Sequence, residues 1–353
     1  MNPGLAALRR LNKPTIQPFH YFDPRSPHPR WRPAFTQTDV DATQQGSPTN
    51  TDKLRLLSWN IDFSTPAPTE RMTEALKYLN KLQNEHDNRR GPPTVIFFQE
   101  MVHSDLELLQ NAPWIQEKFY LTDISDQHWR GTYGTTTLVD RRLPVGRVFR
   151  VPYALSVMQR DALFVDIKLQ GSLIRICNTH LESLASGTPR RAVQLKLASE
   201  FMHGSTPSSS FDDSENAGAT DEPLPTPHAA IIAGDLNAFA PEDVHLPSEC
   251  NLNDAYLALG GTEGSEEGFT WGYQCPPDID GRFPCGRLDK VLFCGNIEAL
   301  SLAKVGQGLK ARVDGRLPDE CDGATEDDDF EDIWVTDHFG LAADFKIVPF
   351  RSA

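Results

Sequence analysis

From Lys53 onward the chain repeats one pattern, a short apolar run with polar residues at one end. Leu54–Trp59 runs into Asn60, Val95–Phe98 into Gln99 and Glu100, Leu173–Cys177 into Asn178, and Ala229–Ala233 into Gly234 and Asp235. In mirror order, Val291–Phe293 follows Asp289, and Leu341–Ile347 follows Asp337 and His338. Runs of this length with polar boundaries predict strands.

Between some of them the period changes to that of a helix. Over Thr69–Leu82, Thr69 suits the cap and Met72, Leu76, Leu79 and Leu82 fall on one face. A second helix is predicted from Thr188, with Pro189 in the first turn and Val193, Leu197 and Phe201 as its buried stripe. Arg190 and Arg191 in its first turn oppose the helix dipole, which fits either an anion outside the chain or simple solvation of the two charges. Strands interspersed with helices, without a regular βαβ rhythm, predict an α+β sheet sandwich with helices outside. One domain is expected over residues 53–350. Residues 1–52 are expected to be an irregular or disordered lead-in, because the first fifty contain eight prolines and show no sustained period. Phe19, Tyr21, Phe22 and Trp31 stand out there as an aromatic cluster, which fits either docking on the core or a merely sticky tail.

Composition changes this picture in three places. The formal net charge of −15 argues against a nucleic-acid partner, since phosphate binding rests on Lys and Arg. Fourteen acids, however, fall in two stretches without Lys or Arg: five in Gly204–His228 and nine in Asp319–Asp332. These are expected to be solvated, disordered loops near residues 204–228 and 314–332, so the remainder is close to neutral. The six cysteines include no C-x-x-C pair, which disfavours a zinc cluster. No apolar run is long enough to span a bilayer and the first residues do not read as a secretory signal. An intracellular protein of the nucleus, the cytoplasm or both is therefore expected, with no membrane and no stable protein partner predicted.

The strand ends carry Asn60, Asp62, Glu100, His180, Glu182, Asp235, Asn237, Asp289, Asp337 and His338. A strand-terminal Asn or Asp is ordinarily a turn residue bonded to its own backbone. Several such ends in one chain, however, favour a shared site. The sequence has no Gly-x-Ser-x-Gly elbow, phosphate loop with Lys or dinucleotide-binding glycine pattern, which removes support for acyl, nucleotide kinase and hydride transfer. An oxygen-rich donor set suits Mg²⁺ or Mn²⁺, and the chemistry expected of it is attack of water on phosphorus.

The motifs Leu57-Ser58-Trp59-Asn60-Ile61-Asp62, Phe98-Gln99-Glu100-Met101, Thr179-His180-Leu181-Glu182-Ser183, Gly234-Asp235-Leu236-Asn237, Arg287-Leu288-Asp289 and Thr336-Asp337-His338 resemble, in order, those of the endonuclease/exonuclease/phosphatase superfamily. The resemblance implies a four-layered α/β sandwich of the deoxyribonuclease I-like type. It implies Glu100 as principal metal ligand with Asn60 and Asp337 in support, and Asp235 to orient or deprotonate water. Asn237 would hold the water or the phosphate, His180 would stabilise the transition state, and Asp289 would orient a catalytic His338. Asp62, His-Leu-Glu-Ser and Phe269-Thr270-Trp271 resemble the type 2 tyrosyl-DNA phosphodiesterases, which implies DNA ends with 5′-linked tyrosine or protein as substrate. On that resemblance Arg160, Trp271, Asp62 and Tyr133 are the substrate-binding candidates. Ala238-Phe239-Ala240-Pro241 departs from the Arg-containing continuation of that group and removes one substrate contact. Other enzymes of the fold stay open as alternatives: an abasic-site or general endonuclease, a deadenylase, or a phosphoinositide or sphingolipid phosphodiesterase. A catalytically silent binding protein is the alternative from another class.

Overall fold

The computed structural model describes residues 11–42, 45–46, 50–85, 91–204, 224–274, 284–314 and 330–349. Most of both acidic stretches therefore lies outside the described residues.

The expected lead-in is corrected first. It contributes β1 (Thr15–Gln17), β2 (Phe19–Asp23) and β3 (Arg30–Ala34), ahead of β4 (Lys53–Asn60) and β5 (Thr94–Met101). Then come β6 (Phe119–Leu121), β7 (Gly134–Asp140), β8 (Val145–Pro152), β9 (Asp161–Leu169), β10 (Ser172–Thr179) and β11 (Ala229–Asp235). The series ends with β12 (Asn253–Asp254), β13 (Asp289–Gly295), β14 (Ile297–Val305), β15 (Lys310–Asp314), β16 (Phe330–Trp334) and β17 (Gly340–Ile347). The helices used below are α1 (Pro68–Glu85), α2 (His103–Asn111), α3 (Pro113–Lys118) and α4 (Thr188–Met202).

One sheet has the order β1-β8-β9-β10-β11-β13-β12, and the other β14-β17-β4-β5-β7-β6-β2-β3. Each contains one parallel pair, β10 with β11 and β4 with β5, and its other ladders are antiparallel. The chain crosses over each parallel pair through a helix, α1 for β4 to β5 and α4 for β10 to β11.

Continuous apolar runs arise because the central strands are covered on both faces. In β4 and β5, Leu54, Leu56, Val95 and Phe97 point into the core between the sheets. Leu57, Trp59, Ile96 and Phe98 point outward, onto Met72, Leu76 and Leu79 of α1 and Leu106 and Leu109 of α2. On the far side Phe164, Cys177 and Ile232 pack against Leu195, Ala198 and Phe201 of α4. The result is helix, sheet, sheet, helix: the four-layered sandwich.

Val193, expected in the buried stripe of α4, is 45% exposed. Its place on the buried face is taken by Arg191 and Gln194. Nor does Arg191 await an outside anion. It is fully buried and forms an ion pair with Asp243 at 2.7 Å, while donating to the carbonyls of Glu182 and Leu184.

Candidate active site

The parallel strands β4, β5, β10 and β11 finish at one edge of the sandwich, and the antiparallel β13 and β17 begin there. Six motifs far apart in sequence are thereby brought to a single edge. Asp235 and Asp289 are direct cross-strand partners. Beneath them Gln99 Nε2 donates to Asn178 Oδ1 at 2.8 Å, and Asn178 Nδ2 donates to the Phe98 and Thr136 carbonyls, tying the two sheets together through buried amides.

Asp62, Glu100 and Asn237 have φ values of 57°, 58° and 49°, a left-handed backbone that costs energy for any residue with a Cβ. Gly234 has φ 144°, and a Cβ there would stand 1.8 Å from the Thr179 carbonyl oxygen, so only glycine lets the Asp235 turn pass β10. Fixed hydrogen bonds aim the carboxylates. Asn237 N–H donates to Asp235 Oδ1 at 2.8 Å, Asn60 Nδ2 to Asp235 Oδ2 at 3.0 Å, and Phe63 N–H to Glu100 Oε2 at 3.0 Å.

Two imidazoles converge on Asp235. His338 Nδ1 is bonded to Asp289 Oδ2 at 2.8 Å, and its Nε2 lies 3.7 Å from Asp235 Oδ2 and 3.7 Å from Asp337 Oδ1. His180 Nε2 lies 3.3 Å from Asp235 Oδ2 and 3.7 Å from Glu100 Oε1. It is buried and aligned in no hydrogen bond among the described residues.

Burial alone would discharge His338, but Asp289, Asp337 and Asp235 outweigh it and hold the imidazole well above its ordinary range. Burial likewise pushes the Asp235 carboxyl up, yet His180, His338 and the Asn237 amide bring it well below the carboxylate range. Asp289 is raised by burial and by Asp235 against the opposing pull of His338. Asp337 is pushed up to about 6, by burial first and then by the charges of Asp62 and Glu100, against the pull of His338 and Trp271.

That crowding is the fit test for a metal. Among the described residues no Lys or Arg side chain is bonded to Glu100 or Asp337, and Glu100, His180 and Asp235 present ligand atoms within 4.8 Å of one another. Hard carboxylate oxygens free of Lys and Arg suit a divalent cation. Asn60 uses its carbonyl for the Asp62 N–H at 2.9 Å, which leaves that oxygen one lone pair.

The four substrate-binding candidates have distinct surroundings. Both oxygens of the Asp62 carboxylate accept from Ser64 and Thr65, so Asp62 holds its own turn rather than reaching for substrate. Arg160 is 6% exposed and directed at His180, not at solvent. The Trp271 indole N–H donates to Asp337 Oδ2 at 2.7 Å and so aims a candidate metal carboxylate. Tyr133 is stacked on Phe63, with ring centroids 4.0 Å apart and planes at 13°. Phe63, which the motif reading passed over, is 42% exposed at the mouth of the site.

Arg71 also escaped the sequence reading. It sits in the first turn of α1, 1% exposed, and donates to the carbonyls of Ile61, Asp62, Thr65, Pro66 and Val335. It pins the Asn60–Asp62 loop to the connection between β16 and β17, which carries Asp337. Its only sequence signal was a charge beside the apolar Met72.

Residues 57–338 match the endonuclease/exonuclease/phosphatase family, and the chain belongs to it. It is similar to human tyrosyl-DNA phosphodiesterase 2, with 23% identity over 323 residues that cover 89% of this chain and 74% of the relative. It is 27% identical over 145 residues to the 5′-tyrosyl-DNA phosphodiesterase of Caenorhabditis briggsae, which covers 41% of this chain and 37% of that one. Among solved structures, tyrosyl-DNA phosphodiesterase 2 of C. elegans superposes with a TM-score of 0.57 at 20% identity, over 83% of this chain and 75% of that one. The D. rerio enzyme in complex with a single-strand DNA product gives 0.56 at 17%, over 83% and 99%. These likenesses confirm the fold.

Proposed function

We propose that this chain is a divalent-metal-dependent phosphodiesterase that hydrolyses 5′-phosphotyrosyl ends of DNA. The observation that carries the reading is the convergence of two tethered imidazoles on one ionised carboxylate, Asp235, beside the Glu100 carboxylate, whose ligand atom lies within 4.8 Å of those of His180 and Asp235. The relatives named above supply the substrate class.

A divalent cation held by Glu100 and Asp337, with Asn60 reaching it through its remaining lone pair, would add positive charge at a phosphate oxygen. Asp235, kept ionised by the charged His338 and by the amide donors of Asn237 and Asn60, accepts the proton of the attacking water. Asn237 closes the turn that aims it. His338, charged against Asp289, donates through Nε2 to the phosphate as negative charge builds, and His180 Nε2 is a second donor. A phenol, with a pKa near 10, leaves far more readily than a sugar alkoxide, so the tyrosine–phosphorus bond breaks and the DNA keeps its 5′ phosphate. The Phe63–Tyr133 stack offers an exposed ring to a terminal base.

The test is a substrate panel in Mg²⁺, with EDTA as control: 5′-phosphotyrosyl DNA, 3′-phosphotyrosyl DNA, an abasic duplex and a phospholipid head group. Release of tyrosine from the 5′ end is expected, abolished by EDTA. Incision at the abasic site with the tyrosyl end left intact would overturn the substrate assignment.

A further inference from the structure

His180, on the turn after β10, is 3% exposed, and its Nδ1 stands 2.8 Å from Arg160 Nη1. A guanidinium has donors only and stays charged at any working pH. The hydrogen in that contact therefore belongs to Arg160, and Nδ1 presents a lone pair. An imidazolium would set N–H against N–H at this distance. We infer that Arg160 is a positioning residue that fixes His180 as the neutral tautomer with its proton on Nε2, so that this donor faces the reacting phosphate.

The surroundings of both residues agree. His180 Nε2 is buried and aligned with no acceptor among the described residues, although Asp235 Oδ2 and Glu100 Oε1 lie 3.3 and 3.7 Å away. A buried N–H in this state is unfavourable unless something accepts from it, and a phosphate oxygen between the carboxylates and the ring would do so.

Arg160 is itself held on several sides. Nη2 donates to Ser183 Oγ at 3.0 Å, the guanidinium carbon sits 5.2 Å from the centroid of the Tyr133 ring, and the backbone N–H donates to Ser156 Oγ at 2.9 Å. Glu182 anchors that loop in turn, accepting from Ser156 Oγ and from the Val157 N–H, each at 2.8 Å. Both terminal nitrogens of the guanidinium are thus engaged, and the one toward His180 orients the imidazole. His338 has the opposite partner, the Asp289 carboxylate, at its own Nδ1. The two imidazoles thus share a donor at Nε2 and differ at Nδ1, which accepts from a cation in His180 and donates to an anion in His338.

The test uses the full chain labelled with ¹⁵N-histidine, with His180 assigned by comparison with His180→Gln. Two-bond ¹⁵N–¹H correlations near pH 7 should show a protonated Nε2 and an unprotonated Nδ1 at His180. In Arg160→Met the signal should move to a mixture of tautomers, and Arg160→Lys, which restores one donor, should return it toward Nε2–H. The kinetic arm rests on the phosphodiesterase reading: Arg160→Met should lower kcat on a small aryl phosphodiester at least about tenfold with KM little moved, a part of the roughly 10²–10⁴-fold that a positioned acid–base group supplies. An Nδ1–H tautomer or an imidazolium at His180 in the wild-type spectrum overturns the inference even if no variant folds. Absence of phosphodiesterase activity in the wild type would sink the functional reading and leave the tautomer assignment to be decided by the spectrum.

Discussion

At the scale of single residues the site is a set of charges whose partners were chosen by the fold. Glu100 has one oxygen held by the Phe63 N–H and the other turned toward His180 Nε2. Glu100→Gln keeps that shape and loses the charge that would hold the proposed hard cation. Turnover of an aryl phosphodiester should fall by roughly two orders of magnitude or more, in line with the size of a metal contribution to charge stabilisation. The rise in Tm produced by Mg²⁺ should shrink with it. Near-normal turnover with an intact Mg²⁺ shift would show that another group is the principal ligand.

Phe63 is a separate case, because its ring is free to work on substrate while its backbone holds Glu100. If a base stacks on it, Phe63→Ala loses about 1–3 kcal/mol, which fluorescence anisotropy would read as a Kd for a single-stranded oligonucleotide at least about fivefold weaker, with recovery in Phe63→Trp. An unchanged Kd removes Phe63 from the DNA path. The sequence made Glu100, Asp235 and His338 legible because each interrupts or borders an apolar run. The Asp62 turn onto Ser64 and Thr65 is local and follows the ordinary habit of a strand-terminal Asp, whereas Arg160 faces His180 only because the fold brings two separate segments together.

At the scale of elements the strongest departure from the sequence pattern is the N-terminal segment. Its strands are short and punctuated by proline, so periodicity could not register them, yet Gln17 of β1 is 1% exposed. Its amide donates to the Thr122 carbonyl at 3.1 Å and accepts from Arg150 Nε at 3.2 Å, in a buried cluster where Arg150 also pairs with Asp123 and Asp161. Gln17→Leu strands both partners and should cost about 1–3 kcal/mol in urea denaturation. An unaltered midpoint would mean that β1 is a passenger on the sheet.

The start of α2 carries a second consequence, in pH. Asp105 is pushed up to about 6 because burial outweighs the Val102 N–H and the charge of Arg71, so the folded chain binds this proton more tightly than the unfolded one. The proton-linked stability is complete below the unfolded value near 3.8 and is lost as pH rises through about 6. Asp105→Asn should therefore gain on the wild type by about 2–3 kcal/mol between pH 4 and pH 7, from roughly two pKa units at 1.36 kcal/mol each. A stability difference that stays flat across that range would show that the carboxyl does not titrate there.

At the scale of the whole molecule, two βαβ crossovers, one per sheet, bring the chemistry to one edge. The strands that make those crossovers were readable because they are apolar on both faces, whereas β14 to β16, alternating and half-exposed, were not. The same contrast governs charge. A net charge of −15 is a poor match for DNA, but fourteen of those charges belong to two acid-rich stretches, so a nearly neutral remainder carries the site. If the acids act on DNA only through the long-range field, replacing Asp327, Asp328 and Asp329 with Asn should tighten DNA binding in low salt and leave stability within about 0.5 kcal/mol. The gain should fade as salt rises, because the screening length shrinks from about 10 Å at 0.1 M to about 3 Å at 1 M. Anisotropy titrations of wild type and variant at two salt concentrations read both effects together. Equal affinities in low salt would place these acids too far from the DNA path to be felt, and a gain that persists in high salt would mean that they touch the binding face directly.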